Sequence, residues 1–179
     1  AALDIGVRLN DTRIMGECHA WLTWTCAEMG RLAEAIDHGK QAQALSAALS
    51  WDHDIFFLAA SGMGHAYWYM GDRRRSLEAG EALIRHGETH ANNFRSFVEG
   101  YHIMGWSHFI AGDFSTAAEC FREAVRRAAL PYYALFPKVG LGLSLLWAGR
   151  IEDTRAVLDD LLRDSRGLGV DMVEAPAKA

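Results

Sequence analysis

The stretch SHFIAGDFSTAA (107–118) has three counterparts in the same chain: WTCAEMGRLAEAI (24–36), AYWYMGDRRRSL (66–77) and SLLWAGRIEDTR (144–155). In each, an apolar segment leads into a turn with one glycine, and an amphipathic segment follows. The turn glycines are Gly30, Gly71, Gly112 and Gly149, which are 41, 41 and 37 residues apart. Periods of this length are typical of stacked supersecondary units. The repeat therefore predicts an all-α protein of about four antiparallel helix hairpins.

Small residues recur at fixed distances from these glycines. Seven residues before each turn glycine the chain has Thr23, Gly64, Gly105 and Gly142. Five residues after each turn glycine it has Ala35, Ser76, Ala117 and Thr154. Small side chains at matched positions let two helix backbones approach closely. We therefore expect Gly105, for example, to lie where two helices touch.

Capping residues predict where the helices begin and end. Asp11, Asp52 and Asn93 stand 19 residues before the first three turn glycines and are good N-cap residues. Leu130 takes this place in the fourth unit, and Pro131 suits a first helical position. Second helices are predicted at 31–48, 73–86, 113–129 and 150–165, with C-terminal caps at Gly87 and Gly167.

Pro137 falls inside the first helix of the fourth unit. Proline lacks a backbone N–H and clashes with the preceding turn, so it should kink this helix, or the helix should begin later. The short 37-residue spacing is interpreted as part of the same irregularity.

These boundaries predict a single solenoid over residues 1–171. Its repeats are 11–51, 52–92, 93–130 and 131–167; residues 1–10 resemble the end of a preceding repeat helix, and 172–179 form a tail. Complete solenoids usually end in polar capping repeats. Neither end shows such a repeat, so we expect an excerpt of a longer array, whose uncapped ends could pair two copies.

The composition of the chain disfavours several classes of protein. The net charge of −5 disfavours a nucleic-acid or anionic-membrane binder. Charged residues or histidine interrupt every apolar run before it reaches the length of a membrane span, and no signal peptide is visible. Cys18, Cys26 and Cys120 lie in helical patterns and are expected to be small buried hydrophobes in a reducing compartment. The chain is therefore predicted to be cytoplasmic.

The third unit resembles the tetratricopeptide repeat (TPR) family. The matching residues are Tyr101, Met104-Gly105, His108, Gly112-Asp113-Phe114, Ala117, Phe121 and Ala124. The resemblance covers about 10–165 and implies a right-handed superhelix of antiparallel helix hairpins. The longer period resembles helical arrays in large bacterial transcription activators and cyclase-linked signalling proteins.

The resemblance also implies that the first helices line a concave groove. At the groove positions this chain is rich in aromatic residues and histidine, and eight of them form the candidate binding site. They are Trp24, His65, Trp68, Tyr69, His102, Trp106, Phe109 and Trp147. Aromatic side chains are frequent binding anchors. The alternative is that tighter packing buries these eight residues, which we call the aromatic stripe, as ordinary core. His65 and His102 would then be structural histidines, and His108 would pack between helices.

No enzyme signature is present: the chain has no phosphate loop, no Gly-x-Ser-x-Gly and no spaced set of metal-binding His and Cys. We expect no catalytic residue and no cofactor. His86 and His90 are four residues apart, but Gly87 is predicted to end the helix between them, so no metal site is expected.

Two functions remain. The first is a protein-interaction scaffold, a TPR-like segment of a larger bacterial signalling or regulatory protein that binds a protein or peptide in its aromatic groove. The alternative is a small-molecule sensor, in which an enclosed aromatic pocket holds an apolar or cationic ligand.

Overall fold

The computed structural model describes residues 2–90 and 93–170, and the regular structure within these ranges is entirely α-helical. The predicted all-α class is therefore confirmed for this part of the chain. The helices are α1 (Ala2–Leu9), α2 (Thr12–Glu28), α3 (Leu32–Ala48), α4 (His53–Tyr69), α5 (Arg73–Thr89), α6 (Phe94–Ile110), α7 (Phe114–Arg127), α8 (Pro131–Trp147) and α9 (Ile151–Leu168). The predicted tail, 172–179, lies outside the described residues.

The four turn glycines lie where the sequence predicts helix junctions. In every case one helix ends two residues before the glycine and the next begins two residues after it. All four have positive φ, between 71° and 78°. Residues with a Cβ rarely adopt this conformation, which explains why glycine recurs at these turns.

The predicted helix starts are also confirmed. The Asp11 carboxylate accepts the backbone N–H of Ile14 at 3.0 Å, and Asp52 accepts that of Ile55 at 3.2 Å. Asn93 precedes α6, although its side chain makes no capping hydrogen bond. Leu130 is the N-cap of α8, with Pro131 in its first turn.

Two predicted helix ends are wrong. Gly87 and Gly167 lie inside α5 and α9, which run on to Thr89 and Leu168. The left-handed cap of α9 is Gly169, with φ 65°. Gly87 serves close packing instead, because a Cβ there would lie 2.9 Å from ring carbons of Phe97.

Pro137 does not delay α8, which runs unbroken from Pro131 to Trp147. The 37-residue spacing has a different origin from the one predicted. Helix α7 has 14 residues, whereas α3 and α5 each have 17. The connection 128–130 is also one residue shorter than 49–52 and 90–93. Together these differences account for the four missing residues.

The described residues divide into two compact units, the first up to Leu83 and the second from Ile84, with the boundary inside α5. In the first unit, α2 packs on α1, α3 and α4, and α3 packs on α4. One core cluster joins α2, α3 and α4, with Cys26, Ile36, Met63 and Tyr67 among its buried residues. Gly39 admits the Met63 side chain, since a Cβ there would lie 2.3 Å from Met63 Cγ.

In the second unit, α7 packs on α6 and α8, and α8 packs on α6 and α9. Each unit thus has repeat-like packing, in which a helix contacts its sequence neighbours and the helix beyond. Phe121 is fully buried at the centre of this unit, together with Ala117, Leu141 and Leu145. Among the described residues, no helix is both long enough and apolar enough to cross a membrane.

Candidate functional site

Four of the predicted site residues meet in the first unit, where they form what we call the His65 cluster: Trp24, His65, Trp68 and Tyr69. The His65 ring centroid lies 4.7 Å from that of Trp24, 5.3 Å from that of Trp68 and 6.0 Å from that of Tyr69. Trp24 belongs to the last turns of α2, and the other three occupy one face of α4 at i, i+3 and i+4. The four candidate residues of this unit therefore lie together around the His65 ring.

A carboxylate completes the His65 cluster. Glu28, one helical turn after Trp24, accepts a hydrogen bond from the Tyr69 hydroxyl at 3.2 Å, and its Oε1 lies 3.3 Å from His65 Nδ1. About half of the Glu28 side chain is exposed. The cluster thus combines aromatic faces with one negative charge, an arrangement that favours cationic groups through charge and cation–π attraction.

Three further predicted residues meet in the second unit, around Phe121; we call His102, Trp106, Phe109 and Phe121 the Phe121 cluster. The Trp106 indole N–H donates to His102 Nε2 at 3.2 Å. The Trp106 ring lies 5.3 Å from Phe109 and 5.3 Å from Phe121, both edge to face. Edge-to-face contacts of this kind add to the stability gained by burial.

Trp147 joins the Phe121 cluster indirectly. Its ring stacks on Phe114 at 5.8 Å, and Phe114 lies 5.3 Å from Phe109. Phe114 is not among the predicted site residues, because the groove positions lie on first helices and Phe114 opens the second helix α7. Its position two residues after Gly112, within the repeat pattern, was the available signal.

Burial separates the eight predicted residues into three groups. His65 and His102 are buried; Trp24, Trp68, Trp106 and Phe109 are half-buried. Tyr69 and Trp147 are exposed, at 44% and 65%. The stripe is consequently neither all surface nor all core. Its histidines and the side of Trp106 that faces Phe121 belong to the packed interior, and its edge near the turns is open to solvent.

Two exposed tryptophans were missed by the sequence analysis. Trp21 and Trp51 are both 58% exposed and lie outside the predicted stripe. Trp51 also has a positive φ of 62°, which is rare for a residue with a large side chain. Its ring lies 6.5 Å from Phe56.

A second feature of the first unit is a cleft of about 400 Å³. It is lined by Gln43, Ala60, Met63, Tyr67, Arg75, Glu78, Ala79 and Ala82. The Arg75 guanidinium lies over the Tyr67 ring, 5.6 Å from its centroid, and burial raises the pKa of the Tyr67 hydroxyl. The alanines that leave this space open could not be told from alanines at helix contacts by sequence alone.

The three cysteines and His108 lie among packing residues outside the two aromatic clusters. Cys26 and Cys120 are buried free thiols, as expected, whereas Cys18 is half-buried. Burial raises the pKa of the Cys120 thiol to about 11, which keeps it protonated and unreactive. His108 is half-buried, with Nδ1 3.3 Å from the Asp113 carboxylate.

The expectation that a helix end at Gly87 separates His86 from His90 is wrong. It depended on Gly87 ending the helix, but α5 continues to Thr89 and the two rings lie 4.5 Å apart.

The chain matches no known family model, and no curated protein is similar to it in sequence.

Proposed function

We propose that the chain is a protein-interaction scaffold: a TPR-like segment, with about four repeats in a right-handed superhelix, of a larger bacterial signalling or regulatory protein. Its partner is a protein or peptide that docks on the aromatic side chains of the first helices. Repeat-like helix packing and the TPR-like spacing of the third unit support this proposal.

One observation carries the proposal. The first helices α4 and α8 each end in a large aromatic side chain, Tyr69 and Trp147, that remains exposed two residues before the turn glycine. An exposed aromatic side chain contributes little to folding but offers a large contact area at low entropic cost. Half-buried neighbours, Trp68 beside Tyr69 and Phe114 beside Trp147, hold these rings in place.

The His65 cluster indicates the chemistry of the partner. Glu28 supplies a carboxylate beside the faces of Trp24 and Tyr69. A partner segment with a lysine or arginine next to apolar side chains fits this combination, since the cation can contact both the carboxylate and a ring. The net charge of −5 adds long-range attraction for a basic partner.

Selection of displayed peptides against the full chain tests the proposal. Selected peptides should combine apolar and basic residues. Tyr69→Ala and Trp147→Ala should each weaken the binding of at least one selected peptide about tenfold or more, as expected for an interface anchor. Arg74→Ala removes an exposed side chain on a second helix and is the control; it should leave affinity unchanged. Failure to select any peptide, or full affinity in both aromatic variants, would contradict the proposal.

The cleft of the first unit favours a second candidate function, the binding of a small molecule. Its volume of about 400 Å³ lies in the range of ligand pockets, and it combines apolar walls with a guanidinium and a carboxylate at its rim. Such a cleft suits a small ligand with an apolar body and a carboxylate that pairs with Arg75.

A thermal-shift screen with small apolar carboxylic acids distinguishes this function from peptide binding. Ala79→Leu fills the cleft and should abolish stabilisation by any ligand found, while peptide binding continues. Stabilisation that persists in Ala79→Leu would place the ligand elsewhere.

A further inference from the structure

We propose that His86 and His90 bind a divalent transition-metal ion such as Zn²⁺ through their Nε2 atoms. His86 lies in the last turn of α5, and His90, four residues further on, directly follows the last helical residue. Their ring centroids are 4.5 Å apart with the planes tilted by 32°, so the rings lie side by side.

Hydrogen bonds fix the tautomer of His90. Its Nδ1 lies 3.0 Å from the His86 carbonyl oxygen, which can only accept, so Nδ1 carries the proton. The Thr89 hydroxyl oxygen lies 2.9 Å from the same nitrogen. In the neutral ring the lone pair is then on Nε2, the form in which histidine binds a metal.

His86 has a comparable support. Its Nδ1 lies 3.4 Å from the side-chain amide nitrogen of Asn93 and 2.9 Å from the hydroxyl oxygen of Ser96, and His86 and Ser96 are both buried. When that oxygen accepts, His86 also carries its lone pair on Nε2. A second hydrogen bond that orients each ligating imidazole is the usual arrangement around protein-bound metals.

The distance between the two rings suits a shared ion. A ring nitrogen of His86 and one of His90 lie within 4.8 Å of each other. Two nitrogens bound to one ion at about 2.0–2.1 Å lie about 3–4 Å apart, so a small rotation of the half-buried His90 ring is sufficient. Imidazole suits zinc, nickel and copper, and water molecules can occupy further positions.

The position in α5 adds a favourable field. The carbonyl end of a helix carries partial negative charge, which stabilises a nearby cation. His86 is in the last turn of α5, and His90 follows the last helical residue. The ion would thus also connect the end of α5 to the chain that follows it.

Zinc titration of the untagged, metal-stripped full chain, by calorimetry and by thermal shift, tests the proposal. The unmodified chain should bind Zn²⁺ and be stabilised by it, and Mg²⁺, which prefers oxygen ligands, should have no effect. His90→Gln should lower the zinc affinity at least about tenfold and remove the stabilisation. His90→Cys restores a zinc ligand and should bind again, which excludes misfolding as the cause.

Two further variants separate this site from others. Ser96→Ala removes the group that orients His86 and should lower affinity about 10- to 100-fold. His38→Gln is the matched control: His38 belongs to another histidine pair, with Nδ1 2.9 Å from Nδ1 of His19. Full zinc affinity in His90→Gln, or a loss in His38→Gln instead, would overturn the proposal.

Discussion

The Phe121 ring is packed between two glycine backbones, Gly105 of α6 and Gly140 of α8. A Cβ at Gly105 would lie 2.7 Å from the ring, and one at Gly140 would lie 2.4 Å from it. Since both glycines lack a side chain, the ring fills the space between the two helices that pack on α7. The second unit thus owes its close helix packing to one large and two minimal side chains.

Gly105→Ala should therefore destabilise the protein by about 1–3 kcal/mol, because the new methyl group overpacks against Phe121. Thermal unfolding measures the effect. Gly167→Ala is the control: Gly167 is also helical, but nothing lies within 4 Å of its Cβ position. There the helix propensity of alanine should raise stability by up to about 1 kcal/mol. Equal effects of the two substitutions would contradict the assigned contact.

The glycines show what sequence can and cannot predict at this scale. The turn glycines and the contact at Gly105 follow from positions that recur in each repeat. Gly87 lies at a position that holds other residues in the other repeats, and Gly140 shares its position with Gly62 only; their roles depend on Phe97 and Phe121 across the packing. A contact between distant residues has no local signal, so Gly87 was mistaken for a helix cap.

Helix elements begin at caps that act locally. The Asp11 carboxylate satisfies the backbone N–H of Ile14 at the start of α2. We expect Asp11→Ala to destabilise the protein by about 1 kcal/mol, because that N–H loses its partner. Asp11→Ser keeps a side-chain acceptor and should retain most of the stability in chemical denaturation. A loss as large in the serine variant as in the alanine variant would show that capping is not the cause.

Helices α8 and α9 are joined by a partly buried ionic group. Lys138 of α8 is buried and donates to the carboxylates of Asp160 and Asp164 on α9, the second at 2.6 Å. Burial alone would lower the pKa of Lys138, but these hydrogen bonds outweigh it and raise the pKa. The hydrogen bond from Lys138 lowers the pKa of Asp160. Pairing is necessary here, since a buried unpaired ammonium is costly.

Asp160→Asn should lower the free energy of unfolding at neutral pH, by no more than about 1 kcal/mol because Asp160 is partly exposed. Because folding lowers the pKa of Asp160, its contribution is present above the ordinary value of 3.8 and is lost as the pH falls below it. The difference between the variant and the unmodified protein should therefore shrink in acid. Thermal midpoints measured from neutral to acid pH check this. Asp159→Asn, at the exposed neighbouring position, should have little effect at any pH.

Element boundaries were predictable where local chemistry decides them. Caps and turn glycines gave the starts of α2, α4, α6 and α8 and all four hairpin turns. The ends of α5 and α9 were not predicted, because Gly87 packs against Phe97 inside α5 and α9 continues to its left-handed cap at Gly169. The short spacing of the fourth unit likewise reflects the length of α7, whereas the proline suggested a cause inside α8.

At the scale of the whole chain, the repeat predicts which helix face carries the aromatic residues but not how deeply each is buried. Trp106 and Trp147 occupy the same stripe in the sequence. Trp106 packs on Phe121 and donates to His102, whereas Trp147 is 65% exposed and contacts Phe114. Burial depends on which side chains the neighbouring helices contribute, and no single helix encodes that.

Trp106→Ala should lower the free energy of unfolding by about 2 kcal/mol or more, because it removes packing from the Phe121 cluster. Trp147→Ala should change it by less than about 0.5 kcal/mol, as expected for an exposed side chain outside the core. Chemical denaturation measures both, with far-UV circular dichroism showing that each variant keeps its helices. Iodide quenching of tryptophan fluorescence is an independent check. The fraction of the fluorescence that iodide quenches should fall in Trp147→Ala, which loses an exposed tryptophan, and rise in Trp106→Ala, which loses a half-buried one. If Trp147→Ala is instead the more destabilising change, the exposed edge of the stripe is part of the core, and the partner site has to be sought on another face.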